Sequence, residues 1–112
     1  MVASTFGGQF TDYFSEKKGR KNWRATVTLT FADNLGAAVA NAAVEVLISP
    51  EGKSSEKFSG TTDGNGEVTI VSNKYKRSGG SKVDWIDFEL TDASVPKLTW
   101  DQQQPTLRVD VP

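Results

Sequence analysis

The chain contains no cysteine and no histidine, so it lacks the thiol nucleophile, the commonest general base and the usual zinc ligands. These absences weigh against an enzyme. They leave the redox compartment open, because 112 residues can close a core without disulfide or metal staples. No apolar run approaches the roughly 18 residues of a membrane-spanning helix, and residues 1–10 lack the charged-then-apolar order of a signal peptide. Any export signal is therefore expected outside this stretch. Neither sign of charge dominates: 13 Lys and Arg stand against 14 Asp and Glu, a net of −1, which argues against general nucleic-acid binding. Helical periodicity is also missing. The alanine-rich stretch 37–43 has the propensity, but it is short and Val39 and Val44 give it no amphipathic period.

What the chain does have is alternation. From Trp23 to Ala32, Trp23, Ala25, Val27, Leu29 and Phe31 occupy one face and Arg24, Thr26, Thr28 and Thr30 the other, the pattern of an antiparallel strand with one side on a core and one in water. Further strands are predicted at residues 9–14, 44–49, 55–60, 67–72, 82–91 and 106–111. In the first, Phe10, Asp12 and Phe14 are expected on one face. Turn chemistry separates the strands at Gly19, at Asn34 and Gly36, at Pro50 and Gly52, and most densely in TTDGNG (61–66), read as a tight hairpin. Residues 1–9, small and glycine-rich, are expected to be a flexible N-terminal segment ahead of a single domain spanning 10–112. Seven short strands with regular turns predict an all-β, seven-stranded antiparallel β-sandwich, immunoglobulin-like or fibronectin-III-like. A small closed barrel is the competing architecture.

Several stretches together also resemble a known family. NWRATVTLTFADNLGAAVANAAVEV, GTTDGNGEVTI, IDFELTD and LTWD are similar to the immunoglobulin-like accessory domains of secreted bacterial proteases and other hydrolases, related in pattern to the bacterial Ig-like repeats of invasin-type adhesins. Their pattern, W-x-A-x-V-x-V, D-x-x-G-x-x-V-x-x-A-x-V, T-T-D-x-x-G, then T-D and L-T-Y-D, is met at Trp23, Ala25, Val27, Asp33, Gly36, Val39, Ala42, Val44, Thr61, Thr62, Asp63, Gly66, Phe88, Thr91, Asp92, Leu98, Thr99 and Asp101. The resemblance covers roughly residues 22–101. Gly60 and Val68 stand where some members carry a cysteine pair, and Trp100 replaces the tyrosine. It implies a non-catalytic accessory or spacer role, an extracellular or cell-surface location, and neighbouring domains of a parent protein as the first partners. A monomer is expected.

Strand parity gives a second reading. If the strands alternate in direction, the odd connections gather Lys17, Lys18, Arg20, Lys21, Lys53, Lys74, Lys76, Arg77 and Lys82 at one end, and the even ones gather Asp33, Asp63, Asp92 and Asp101 at the other. Lys18, Arg20, Lys21, Lys74, Tyr75, Lys76 and Arg77 are thus candidate ligands for an extracellular glycan or other polyanion, by charge and stacking. The plainer reading is a set of solvated loops. Trp85 falls out of phase with Ile86, Phe88 and Leu90 and is the candidate sugar-stacking indole, with either a bulge beside it or partial exposure. Trp23 is expected in the core and Trp100 across an end of the sandwich. No cofactor is required. A calcium ion held by Asp33, Asn34, Asp63 and Asn65 is the one metal site considered, against the simpler use of those side chains in turns. Carboxylate pairs such as Asp84 with Asp87, or Asp92 with Asp101, lack a framing motif for catalysis.

Overall fold

A computed structural model describes residues 2–112. It contains nine strands: β1 (Thr5–Lys18), β2 (Asn22–Asp33), β3 (Ala43–Pro50), β4 (Glu56–Thr61), β5 (Glu67–Val71), β6 (Tyr75–Lys76), β7 (Trp85–Ser94), β8 (Thr99–Trp100) and β9 (Thr106–Asp110). They form two facing sheets. One has the order β5-β2-β1-β8, with β6 also on β2; the other has the order β4-β3-β7-β9. All neighbours are antiparallel except β1 and β8, which run parallel for two residues.

The alternation of β2 is realised in full: Trp23, Ala25, Val27, Leu29 and Phe31 are completely buried. Opposite them the second sheet contributes Val44, Val46 and Ile48 from β3, Ile86, Phe88 and Leu90 from β7, and Val109 from β9. Trp23 closes one end of this core, where its indole N–H donates to the Val83 carbonyl at 2.8 Å. Trp100 packs against the other end, beside Phe6, its partner in the β1–β8 pairing.

The first strand is longer than its alternation predicts. Residues 5–9, read from the sequence as a loose segment, are the first five residues of β1. Phe6 is buried, with its ring 6.1 Å from that of Phe31. Gly8 is small for a packing reason: a β-carbon there would lie 2.5 Å from the Phe31 ring. A bulge at Thr11 then shifts the register, so that Phe10 faces Leu29 but Asp12 faces Thr28, and the Thr11 hydroxyl bonds that of Thr30 at 2.7 Å. The bulge reverses which side chains point inward. Phe10 packs on the core, whereas Phe14, expected on the same face, shares the outer face with Thr26 and is 51% exposed.

Two further corrections concern connections. TTDGNG does not close a hairpin, because β4 and β5 belong to opposite sheets; it is a crossing. Thr62 is buried in it, donating its hydroxyl to the Val39 carbonyl at 2.7 Å and accepting the Ala42 amide at 2.9 Å. Gly66 has φ 76°, and a β-carbon there would sit 2.5 Å from the Phe31 carbonyl oxygen. The two strands beyond the expected seven, β6 and β8, are two-residue pairings inside segments that read as loops. Strand β7 starts at Trp85 and runs on to Ser94, because a second bulge at Thr91, whose hydroxyl bonds the Glu45 carbonyl at 3.1 Å, restores Ala93 to the core.

The fit of Gly8 beneath Phe31 yields a test. Gly8→Val is expected to lower stability by about 1–3 kcal/mol, the usual penalty of overpacking, read as a reduced urea midpoint at unchanged slope. An unchanged midpoint would show that β1 does not pack as described.

Candidate functional site

Three connections meet at the end of the sandwich that Trp23 seals: residues 19–21 between β1 and β2, 51–55 between β3 and β4, and 72–84, which carries β6 on the way from β5 to β7. Backbone and side-chain hydrogen bonds tie them together. Strand β6 pairs Tyr75 with Trp23 and Lys76 with Asn22. The Arg77 amide donates to the Lys21 carbonyl and its Nη2 to the Arg20 carbonyl, both at 2.8 Å. Val83 N donates to the Lys76 carbonyl at 2.8 Å, and the Asp84 amide donates to the Glu51 carboxylate at 2.9 Å.

This bonding concentrates positive charge. Ten of the thirteen Lys and Arg residues lie on or beside these connections: Lys17, Lys18, Arg20, Lys21, Arg24, Lys53, Lys74, Lys76, Arg77 and Lys82. Glu16 takes up Arg24 at 2.7 Å and Lys18 at 3.6 Å, and Asp84 takes up Lys82 at 3.6 Å. Among the described residues, Lys17, Arg20, Lys21, Lys53, Lys74, Lys76 and Arg77 have no carboxylate within 4.0 Å. An open cleft of about 390 Å³ lies within the cluster, lined by Asn22, Lys53, Lys74, Tyr75, Lys76 and Ser81. Tyr75 is half-buried, and its phenol is held above the ordinary tyrosine value, first by burial and then by the charge of Glu56, against a hydrogen bond with Asn73. It therefore stays protonated at neutral pH.

The structure thus groups most of the candidate ligand residues. Lys74, Tyr75 and Lys76 line the cleft, and Lys18, Arg20, Lys21 and Arg77 lie on the adjoining turn and the segment bonded to it. Asn22 and Ser81 carry no distinctive sequence signal; the β6 pairing brings Asn22 to the cleft, and the bond from Val83 N to the Lys76 carbonyl folds the segment carrying Ser81 back to it. Trp85 lies elsewhere. It sits on the outer face of the second sheet, half-buried and in phase with Asp87 and Glu89, with no bulge beside it. The Arg108 guanidinium covers one face of its ring at 3.9 Å from the centroid and is held there by two bonds to Asp87, 2.7 and 3.0 Å. A sugar cannot stack on that face without displacing Arg108.

At the opposite end the second and fourth connections do touch, through Asn41 N to the Thr62 carbonyl at 3.0 Å. Three of the four candidate side chains, those of Asp33, Asn34 and Asp63, each use one oxygen on backbone amides. Asp33 Oδ1 accepts the amides of Leu35 and Ala37, and Asp63 Oδ1 those of Asn65 and Glu67, at 2.9–3.0 Å. Asn34 Oδ1 accepts the amides of Ser4 and Thr5 at 2.9 and 3.2 Å. No group of three or more metal-ligating Asp, Glu, His or Cys side chains occurs among the described residues.

No protein-family model matches the chain, and comparison with curated proteins and with solved structures returns no match.

The carboxylate that partly offsets the cationic end sets a pH signature. The hydrogen bond from Arg24, above all, holds the Glu16 carboxyl below the ordinary glutamate value; partial desolvation opposes it and Lys18 assists. A carboxyl depressed in the folded state contributes stability that is fully present above its unfolded value and lost as pH falls through its folded value. Carboxyl-carbon NMR is expected to show Glu16 titrating below the ordinary range, and Glu16→Gln to flatten the acid limb of the melting-temperature profile. A Glu16 midpoint at or above the ordinary value would contradict the pairing.

Proposed function

We propose that the chain is a non-catalytic, immunoglobulin-like spacer module of an exported bacterial protein, which holds the segments on either side of it apart. One observation carries this reading: the chain enters the sandwich at one end and leaves at the other. The Ser4 and Thr5 amides are fixed to Asn34 at the acidic end, and the Val111 amide donates to the Asp84 carbonyl at 2.9 Å at the basic end. The body is elongated, 56 × 21 × 16 Å along its principal axes. Load applied through the two termini would run along the strands of both sheets.

The strand order supports the fibronectin-III variant of the immunoglobulin-like arrangement. With the two-residue strands set aside, β5-β2-β1 faces β4-β3-β7-β9, so the fourth strand sits beside the third and not in the sheet of the first. The extracellular setting rests on the resemblance of residues 22–101 to accessory domains of secreted proteins. A monomer fits the open edge of β1. The bulge at Thr11 bends it, and Lys17, opposite Trp23, places a charge on its inward side; both are devices that discourage strand addition.

The spacer reading is tested by spin labels at Ser4→Cys and Asp110→Cys, which would be the only cysteines in the chain. Pulsed electron resonance is expected to give one narrow distance of about 30 Å or more, the length that the ten-residue β7 spans at roughly 3.3 Å per residue. A short or broad distribution would overturn the reading, since a spacer must keep its ends apart and stiff.

A further inference from the structure

We infer that the cleft formed by Lys53, Lys74 and Lys76, with Tyr75, Asn22 and Ser81, is a binding site for a sulfated polysaccharide, engaged end-on by the basic end of the sandwich. This inference adds a ligand to one end of the body and stands whether or not the module acts as a spacer.

The argument begins with placement. The three lysines come from two connections distant in sequence and line one cleft with no carboxylate within 4.0 Å of any of their ammonium groups. Of the three cations outside this end, two are paired, Lys57 with Glu45 and Arg108 with Asp87. The loop bonds from Arg77 to Arg20 and Lys21 hold further positive charge beside the cleft, against its own repulsion. A cluster of unpaired cations on bonded backbone raises the local concentration of an anion. The short polar groups of Asn22 and Ser81, and the protonated Tyr75 hydroxyl, add hydrogen-bonding groups of the kind a sugar uses.

The same features favour a glycan over a nucleic acid. Single-stranded nucleic acid is held by a basic groove that tracks its backbone and by exposed aromatic faces on which bases stack. Here the positive charge covers only an end of about 21 × 16 Å, and the opposite end carries Asp33, Asp63, Asp92 and Asp101. No exposed ring lines the cleft: Trp23 is fully buried, Tyr75 packs against the core, and Trp85, at the start of β7, has one face covered by Arg108, while the exposed Tyr13 and Phe14 lie further along β1. Lysine, a compact and strongly hydrated point charge, lines the cleft in place of the arginine fork that phosphate recognition favours. Discrete sulfate groups on a polymer that meets the domain at one end match this arrangement.

The test is titration calorimetry of the full chain with heparin at low salt. Binding that weakens with added salt is expected, because it releases counterions. Replacing Lys53, Lys74 and Lys76 together by Gln is expected to weaken it about a hundredfold, at roughly fivefold for each lysine facing an anionic surface. Replacing Lys57 and Lys97, which lie away from the cleft, should change it less than about twofold on the same scale. All five side chains are exposed, and a melting curve checks that each variant is folded; if the triple variant is not, Lys74→Gln alone must still weaken binding. The proposal is overturned by no binding, by an equal effect of the Lys57 and Lys97 changes, by equal affinity for fully desulfated heparin, or by tighter binding of single-stranded oligothymidine, which would assign the end to nucleic acid.

Discussion

Strand β2 must bury five apolar side chains on one face while the other stays in water, and both sheets are arranged around that demand. Burying large side chains such as Trp23, Leu29 and Phe31 contributes roughly 1.5–3 kcal/mol each, so no register that turns this face outward can compete. β1 covers one edge of β2, and β5 and β6 cover the other. The second sheet supplies the opposing layer. The chain's direction along β2 then fixes which connections emerge together: those holding most of the Lys and Arg leave at the Trp23 end, and those holding Asp33 and Asp63 at the Phe31 end.

Gathering like charges opposes folding, though weakly at this distance from the core. Two exposed charges in water interact by only about 1 kcal/mol even at 4 Å, and salt screens them beyond about 8–10 Å. The opposing bonds are better placed. Trp23 Nε1 on the Val83 carbonyl is a buried hydrogen bond, and Ser72 accepts the Ala25 amide at 2.9 Å while donating to the Asn73 carbonyl at 2.8 Å. The core residue at the start of β2 therefore also anchors the basic loop. A change at Trp23 would reach both the core and the cleft, whereas changes at the cleft lysines leave the core alone.

Much of this was legible in the sequence where alternation was strong. β2, β3 and the apolar positions of β7 follow from period two, and the separation of charge between the ends follows from strand parity alone. The start of β1 was not legible, because Thr5, Gly7 and Gly8 look like a loose segment until the Phe31 ring is seen to fill the space above Gly8. Nor were the bulges at Thr11 and Thr91, each a single extra residue that reverses the facing of the rest of its strand. Asp63 to Gly66 announced a turn correctly, but turn chemistry is local and cannot say whether the strands it joins share a sheet. Alternation left Trp85 with either a bulge or partial exposure, and the structure gives the second; the guanidinium lying over it depends on the β7–β9 pairing of Asp87 with Arg108. At the acidic end one oxygen of each of Asp33 and Asp63 accepts backbone amides, a use in turns that composition alone does not distinguish from metal binding.

On the proposed reading scaffold and site are separate: the sheets supply length, and the connections at one end supply the binding groups. An amide-resolved NMR titration with sucrose octasulfate, a small sulfated sugar, tests that separation most directly. Shifts confined to residues 19–22, Lys53 and 74–82 are the predicted result. Shifts centred on residues 33–36 or 62–66, or on the outer face around Trp85 and Arg108, would contradict it, as would no shifts at all.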